Sequence, residues 1–184
     1  NFAQKPAMLR SEAVQAISVG IETVREAKGA GLTAVGIGEM GIGNTTTSSA
    51  VLCALTGASV ADVTGRGGGL TDAGYQKKLA VIETALALHR PDKNDPIDVL
   101  TKVGGLDLAA MTGAYLGCAA EHIPAVVDGF ISIVAALCAV RLCPAARDYL
   151  FLSHASYEIG YRLGAEELGQ EPCLLLEMRS EERR

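Results

Sequence analysis

The chain has 184 residues, and its 16 basic against 21 acidic side chains leave a formal charge of −5, which excludes a basic nucleic-acid surface as the default. At about 100–200 residues per domain the length fits a single domain over 1–184, and 49% hydrophobic with 20% charged residues supports a packed core and excludes a disordered chain. The longest apolar run, Phe130 to Val140, contains Ser132 and stops at Arg141, short of the ~20 residues that span a bilayer, so no membrane association is expected.

In chain order, Ser11 is placed to cap a helix carrying Val14, Ile17, Ile21 and Val24 at helical spacing, and Gly29 and Gly31 end it. The run Leu32 to Gly38 reads as a buried strand. A glycine-rich turn follows, then a small-residue helix from Thr45 or Thr46 through Leu55, then a helix capped by Asp72 and running to about Leu88. Leu106 to Ala120, rich in Ala and Gly, predicts a closely packed third helix. Pro124 to Asp128 predicts a strand, Phe130 to Leu142 a helix, Tyr149 to Leu152 a strand, Tyr157 to Leu168 a helix and Cys173 to Leu176 a last strand. Short apolar strands alternating with helices mean an α/β fold of three layers, a mostly parallel, Rossmann-like sheet with helices on both faces.

Five cysteines, an odd number, sit mostly in apolar surroundings, and the opening Asn1 to Pro6 lacks a signal-peptide layout. A cytoplasmic protein with structural thiols is expected. There is no C-x-x-C pair, and His89, His122 and His154 are scattered, so no metal site is expected.

Parallel sheets place ligand chemistry just beyond the carboxyl ends of their strands. Four turns qualify: Gly38 to Thr46, Gly65 to Gly69, Asp128-Gly129, and Ser153 to Ser156. In the first, glycine-rich backbone runs into a helix N-terminus, where free N–H groups and the macrodipole favour an anion. The second adds Arg66, with Lys77 and Lys78 on the next helix, to neutralise a phosphate. Glu39 lies between glycines at a strand end, where ligand sites form. Asp128 shares that placement, though an acid there can equally cap the following helix. The pattern Gly36-x-Gly38-x-x-Gly41, with Asp62 further on, fits a dinucleotide-binding spacing, but no hydrophobic strand leads into Asp62. The absence of Gly-Lys-Ser/Thr after the same turn argues against a P-loop.

The segment Gly38 to Thr46 resembles the signature of the nicotinate-nucleotide–dimethylbenzimidazole phosphoribosyltransferase family, which makes the lower-ligand nucleotide of cobalamin. The similarity continues through Gly65-Arg66-Gly67 with Gly69-Leu70, Asp98 to Leu100 with Gly104 to Asp107, Val127 to Phe130, and Ser153-His154 with Ser156 and Glu158. These blocks, in order, cover nearly the whole chain.

The resemblance implies transfer of 5-phosphoribose from nicotinate mononucleotide to 5,6-dimethylbenzimidazole, giving α-ribazole 5'-phosphate and nicotinate. It implies a homodimer needing no cofactor. On this reading the phosphate sits on Gly41, Ile42, Gly43, Asn44 and Thr45 and on Gly65, Arg66 and Gly67, with Lys78 and Ser156 as side-chain contacts. Glu39 stabilises positive charge at the anomeric carbon, and Asp128 lies near the sugar. Family members are longer. Their N-terminal part helps to enclose the aromatic base, and their C-terminal segment carries a general-base glutamate in a glycine-rich turn. Counted from Arg179, Glu182 takes that place, without the glycines. Gly68 stands where the family favours Thr. The chain thus reads as a fragment of a longer member with an exposed apolar patch, and the alternative function is a catalytically weak binding module for a phosphorylated nucleoside.

Overall fold

The computed structural model describes residues 1–67 and 69–178. Eight α-helices and five short strands are found among them: α1 (Arg10–Gly29), β1 (Val35–Ile37), α2 (Thr45–Thr56), α3 (Val60–Val63), α4 (Asp72–His89), α5 (Pro96–Val103), α6 (Leu106–Ala120), β2 (Ala125–Val127), α7 (Phe130–Leu142), β3 (Leu150–Leu152), β4 (His154–Ser156), α8 (Ile159–Leu168) and β5 (Leu174–Met178). A 3₁₀ turn, Pro144–Tyr149, leads into β3. The fold is α/β with parallel sheets. One sheet has the order β1-β2-β3 and the other pairs β4 with β5, and every pairing is parallel.

In the three-stranded sheet Val35, Ala125 and Leu150 lie in register, as do Ile37, Val127 and Leu152. All but Val35 are buried. Between those rows Val126 and Phe151 face the other way, 39% and 50% exposed, and Leu174, Leu175 and Leu176 of β5 are also exposed. The centre of the core is α7, buried from Phe130 through Ala139, as an all-round apolar helix must be.

Helix α6 packs along α1 through backbone contact. A Cβ added at Gly113 would lie 1.9 Å from the Ile17 carbonyl oxygen, and one at Gly20 would lie 1.9 Å from the Ala110 carbonyl oxygen. No side chain fits at either place, which accounts for the Ala/Gly richness of α6.

Several local expectations shift. Leu9, not Ser11, is the N-cap of α1, and the Glu12 carboxylate accepts from the Leu9 N–H at 2.7 Å, so the first turn is closed by its acid. The N-cap of α4 is Thr71, whose hydroxyl accepts from the Gly74 N–H at 3.2 Å, with Asp72 as the first helical residue. Asp128 does not cap α7; Gly129 takes that position without a side-chain bond. Cys53, Cys118 and Cys138 are buried, whereas Cys143 and Cys173 are exposed. Burial pushes the Cys53 and Cys138 thiols up to about 12 and Cys118 up to about 11. Helices α3 and α5 and strand β4 were not expected. Asp62 lies on α3 rather than after a strand, which removes the acidic partner that a dinucleotide site requires.

Candidate active site

The carboxyl end of β1 is pinned before its turn begins. The Ile37 carbonyl accepts from the Asp128 backbone N–H at 3.3 Å and from the Ser132 hydroxyl. Tyr115 of α6 joins them, its phenol 2.6 Å from the Ser132 hydroxyl. Burial drives the Tyr115 phenol far above its ordinary value, so it serves as a neutral hydrogen-bonding group. Sequence reasoning passed over both hydroxyls, although a Ser and a Tyr inside such apolar helices need partners.

From this anchor the turn Gly38 to Asn44 folds back on itself. Oε2 of Glu39 accepts from the Gly41 N–H and from the Asn44 amide nitrogen, both at 2.6 Å. Gly41 and Gly43 take φ of 79° and 82°, the left-handed region open to glycine at little cost. The side chains of Met40 and Ile42 point outward, 60% and 78% exposed. Asn44 is the N-cap of α2 but makes no side-chain cap bond. The Asn44 side chain thus does not cap the first-turn N–H groups of α2, and free N–H groups at a helix start suit an anion.

Lys78 reaches this helix start from α4. Only 6% exposed, it donates at 2.9 Å to the Thr45 hydroxyl and at 2.9 Å to the Gly65 carbonyl. The loop Gly65 to Gly67 closes over both groups: a Cβ at Gly67 would stand 3.0 Å from the Thr45 hydroxyl and 3.8 Å from the Lys78 ammonium. A buried ammonium, a hydroxyl and an uncapped helix N-terminus thus converge, which is an anion-binding arrangement. Lys77 is exposed. Periodicity separates the two lysines, since Lys78 shares a helical face with the buried Ile82 and Ala85 at i+4 and i+7.

The other expected residues are placed as follows. Asp128 and Glu39 line one narrow cleft with Thr45, Gly129 and Phe130. Asp128 also stands 3.9 Å from Nδ1 of the buried His154. The Arg66 guanidinium pairs at 2.6 Å with Asp72 and lies 5.0 Å from the centre of the Tyr75 ring, while its loop lines a cavity of about 280 Å³ with Tyr75, Tyr157 and Glu158. The Arg66 guanidinium is therefore already engaged by Asp72 and Tyr75. The Ser156 hydroxyl accepts from the Glu158 N–H at 3.3 Å, beside that cavity. Glu182 lies outside the described residues. Asp107, not singled out from the sequence, joins the site by accepting from the Asn44 amide at 2.7 Å. Among the described residues there is no group of three or more His, Cys, Asp or Glu side chains that could hold a metal ion, and no helix is long and apolar enough to cross a membrane.

The family whose sequence model matches residues 1–183 is described as a phosphoribosyltransferase. The chain belongs to that phosphoribosyltransferase family. It is similar to the nicotinate-nucleotide–dimethylbenzimidazole phosphoribosyltransferase of Geobacter metallireducens, at 54% identity over 179 residues, 97% of this chain and 51% of the relative. The enzyme of the same name from Clostridium perfringens is 50% identical over 97% of this chain and 50% of its own length. Among solved structures, CobT from Thermus thermophilus superposes with a TM-score of 0.92 at 40% identity, over 97% of this chain and 53% of that one. The chain thus spans about half the length of the relatives it matches.

Proposed function

We propose that this chain binds nicotinate mononucleotide and transfers its 5-phosphoribosyl group to 5,6-dimethylbenzimidazole, yielding α-ribazole 5'-phosphate and nicotinate in cobalamin nucleotide-loop assembly. The observation that carries this reading is the buried Lys78 ammonium bonded to Thr45 and to the Gly65 carbonyl at the uncapped start of α2, beside the cleft shared by Glu39 and Asp128. The names of the relatives supply the substrates.

In the reaction the bond between the anomeric carbon and the nicotinate nitrogen breaks, and its electron pair leaves with nicotinate. The unprotonated benzimidazole nitrogen forms the new bond with its lone pair, and the ring's other nitrogen loses its proton. As the first bond lengthens, positive charge grows on the ribose. Carboxylates fixed beforehand stabilise it without having to reorganise. Glu39, held by the turn's own N–H and amide groups, and Asp128, at the end of β2, take that role. The phosphate occupies the Gly41 to Thr45 turn and the Gly65 to Gly67 loop, with Lys78 as counter-ion. Ser156 and the backbone of Arg66 complete the rim. Glu182 is assigned the proton lost from the benzimidazole ring. The protein acts as a single-domain cytoplasmic homodimer without a cofactor, nucleic acid or membrane partner.

Nicotinate release in the presence of 5,6-dimethylbenzimidazole tests this. Glu39→Gln is expected to lower the rate by about 10²–10³-fold, and Glu182→Gln to lower it as well. Unchanged rates in both variants would remove the mechanism. Saturable nicotinate mononucleotide binding without turnover would instead favour a binding module for a phosphorylated nucleoside.

A further inference from the structure

One side-chain amide in the site serves two carboxylates. Nδ2 of Asn44 donates at 2.6 Å to Glu39 Oε2 and at 2.7 Å to Asp107 Oδ2. An amide nitrogen carries two hydrogens, so each carboxylate takes one. The amide's orientation is settled by its neighbours, because turning its oxygen inward would set lone pairs against both carboxylates. Both bonds are short and charge-assisted.

The three residues come from separate parts of the fold. Glu39 lies in the turn after β1, Asn44 caps α2, and Asp107 is in the first turn of α6, where the helix dipole favours an acid. Gly105, the N-cap of α6, leaves room for Asp107: a Cβ there would meet its Oδ1 at 2.3 Å. Asn is among the preferred N-cap residues, yet Asn44 makes no side-chain cap bond to α2. Its amide is held away from the helix by the two acids.

We propose that Asp107 is a positioning residue that fixes the Glu39 carboxylate through the Asn44 amide. The inference rests on the reading that Glu39 faces the ribose of nicotinate mononucleotide. With Asp107 in place, rotation of the Asn44 amide would break a second charge-assisted bond, so the Glu39 acceptor stays where charge develops. Without it, Asn44 is free to turn towards the α2 N-terminus, and Glu39 keeps only its bond to the Gly41 N–H.

The test uses the 184-residue chain and two readouts. By calorimetric titration with nicotinate mononucleotide, Asp107→Ala is expected to bind about tenfold more weakly. Asp107→Asn keeps an oxygen acceptor for the Asn44 amide and is expected to recover affinity to within about twofold of the parent. In a Glu39→Gln background Asp107→Ala is expected to add nothing further. A structural role alone would give an additive loss that Asp107→Asn does not rescue, and that result overturns the proposal. The second readout needs no ligand: in carbon and nitrogen NMR spectra Asp107→Ala is expected to move the Glu39 carboxyl and Asn44 side-chain amide signals, and Asp107→Asn to restore them. Unmoved signals overturn the proposal. Failure of the parent chain to bind nicotinate mononucleotide would strike the proposed function, and the NMR comparison would still decide the role of Asp107.

Discussion

Between α1 and α6, a methyl group at Gly113 would meet the carbonyl oxygen of Ile17 at 1.9 Å; at the carboxyl edge of the sheet, one at Gly65 would meet the Glu158 carboxylate at 2.0 Å. The seam and the edge both depend on glycine, but the close neighbour differs. In the seam it is helix backbone, and the absent side chain lets two helices approach. At the edge it is an acidic side chain, and the absent methyl leaves room for the Glu158 carboxyl beside the loop whose Gly65 carbonyl accepts from Lys78. The first arrangement serves stability, and the second lies where the proposed function places the ligand. Substitutions in the two regions should therefore fail in different ways.

The largest stability effect belongs to the seam. Gly113→Leu would force α1 from α6 and is expected to cost about 3 kcal/mol or more, read as a fall in the midpoint of chemical denaturation. Under conditions where the variant remains folded, its affinity for nicotinate mononucleotide should match the parent. A loss of affinity in the fully folded variant would erase the distinction between the regions. The converse probe is Gly65→Ala. Displacing buried Glu158 is expected to cost about 1–2 kcal/mol of stability, accompanied by a fall in affinity that Gly113→Leu does not show.

A smaller effect is expected at the α5 cap, which pairs with the first residue of α1. Asp95 accepts from the Ile97 and Asp98 N–H groups and pairs with Arg10 at 2.7 Å. Partial burial pushes the Asp95 carboxyl up, but the Arg10 guanidinium and those two N–H groups outweigh it and hold the carboxyl below its ordinary range. Asp95→Ala should cost about 1 kcal/mol, as lost caps do. A lowered folded value means the ionised form binds its partners. Its stabilisation is complete above the ordinary carboxylate range near pH 4 and disappears as pH falls through the folded value. The stability difference between parent and Asp95→Ala should accordingly shrink on acidification, and a constant difference would contradict the assignment.

The slightest perturbation is chemical labelling. Cys143 and Cys173 are exposed and should react readily with a thiol reagent near neutral pH, whereas Cys53, Cys118 and Cys138 should react only on unfolding. Early labelling of Cys118, which lies in α6, would show the seam opening.

Much of this arrangement is legible in the sequence. The Ala/Gly-rich run Leu106 to Ala120 and the apolar run Phe130 to Leu142 match the bounds of α6 and α7, and the turns that follow β1, β2 and β3 lie at one edge because parallel strands bring their carboxyl ends together. Strands β1, β2 and β3 come out shorter than their apolar runs because only three residues of each are paired, whereas β5 has five residues. Helix α5 had a signal, since Asp95 followed by Pro96 is a cap with proline in the first turn. Strand β4 had little, being three residues with an irregular register. Arg66 illustrates a limit: its position in a glycine-rich loop suggests a phosphate ligand, but Asp72 and Tyr75 already engage its guanidinium. Asp107 was missed because its role depends on Asn44, a partner 63 positions away, which no local pattern connects.

The central claim is that the Lys78 ammonium at the start of α2 receives the phosphate of a phosphoribosyl ligand. Titration of nicotinate mononucleotide into the parent chain and into Lys78→Met, each checked for folding by circular dichroism, tests it directly. The account predicts saturable binding to the parent that inorganic phosphate competes away, and at least about a hundredfold weaker binding to the variant. Equal affinity in a folded Lys78→Met chain, or binding to the parent that phosphate does not displace, would contradict it.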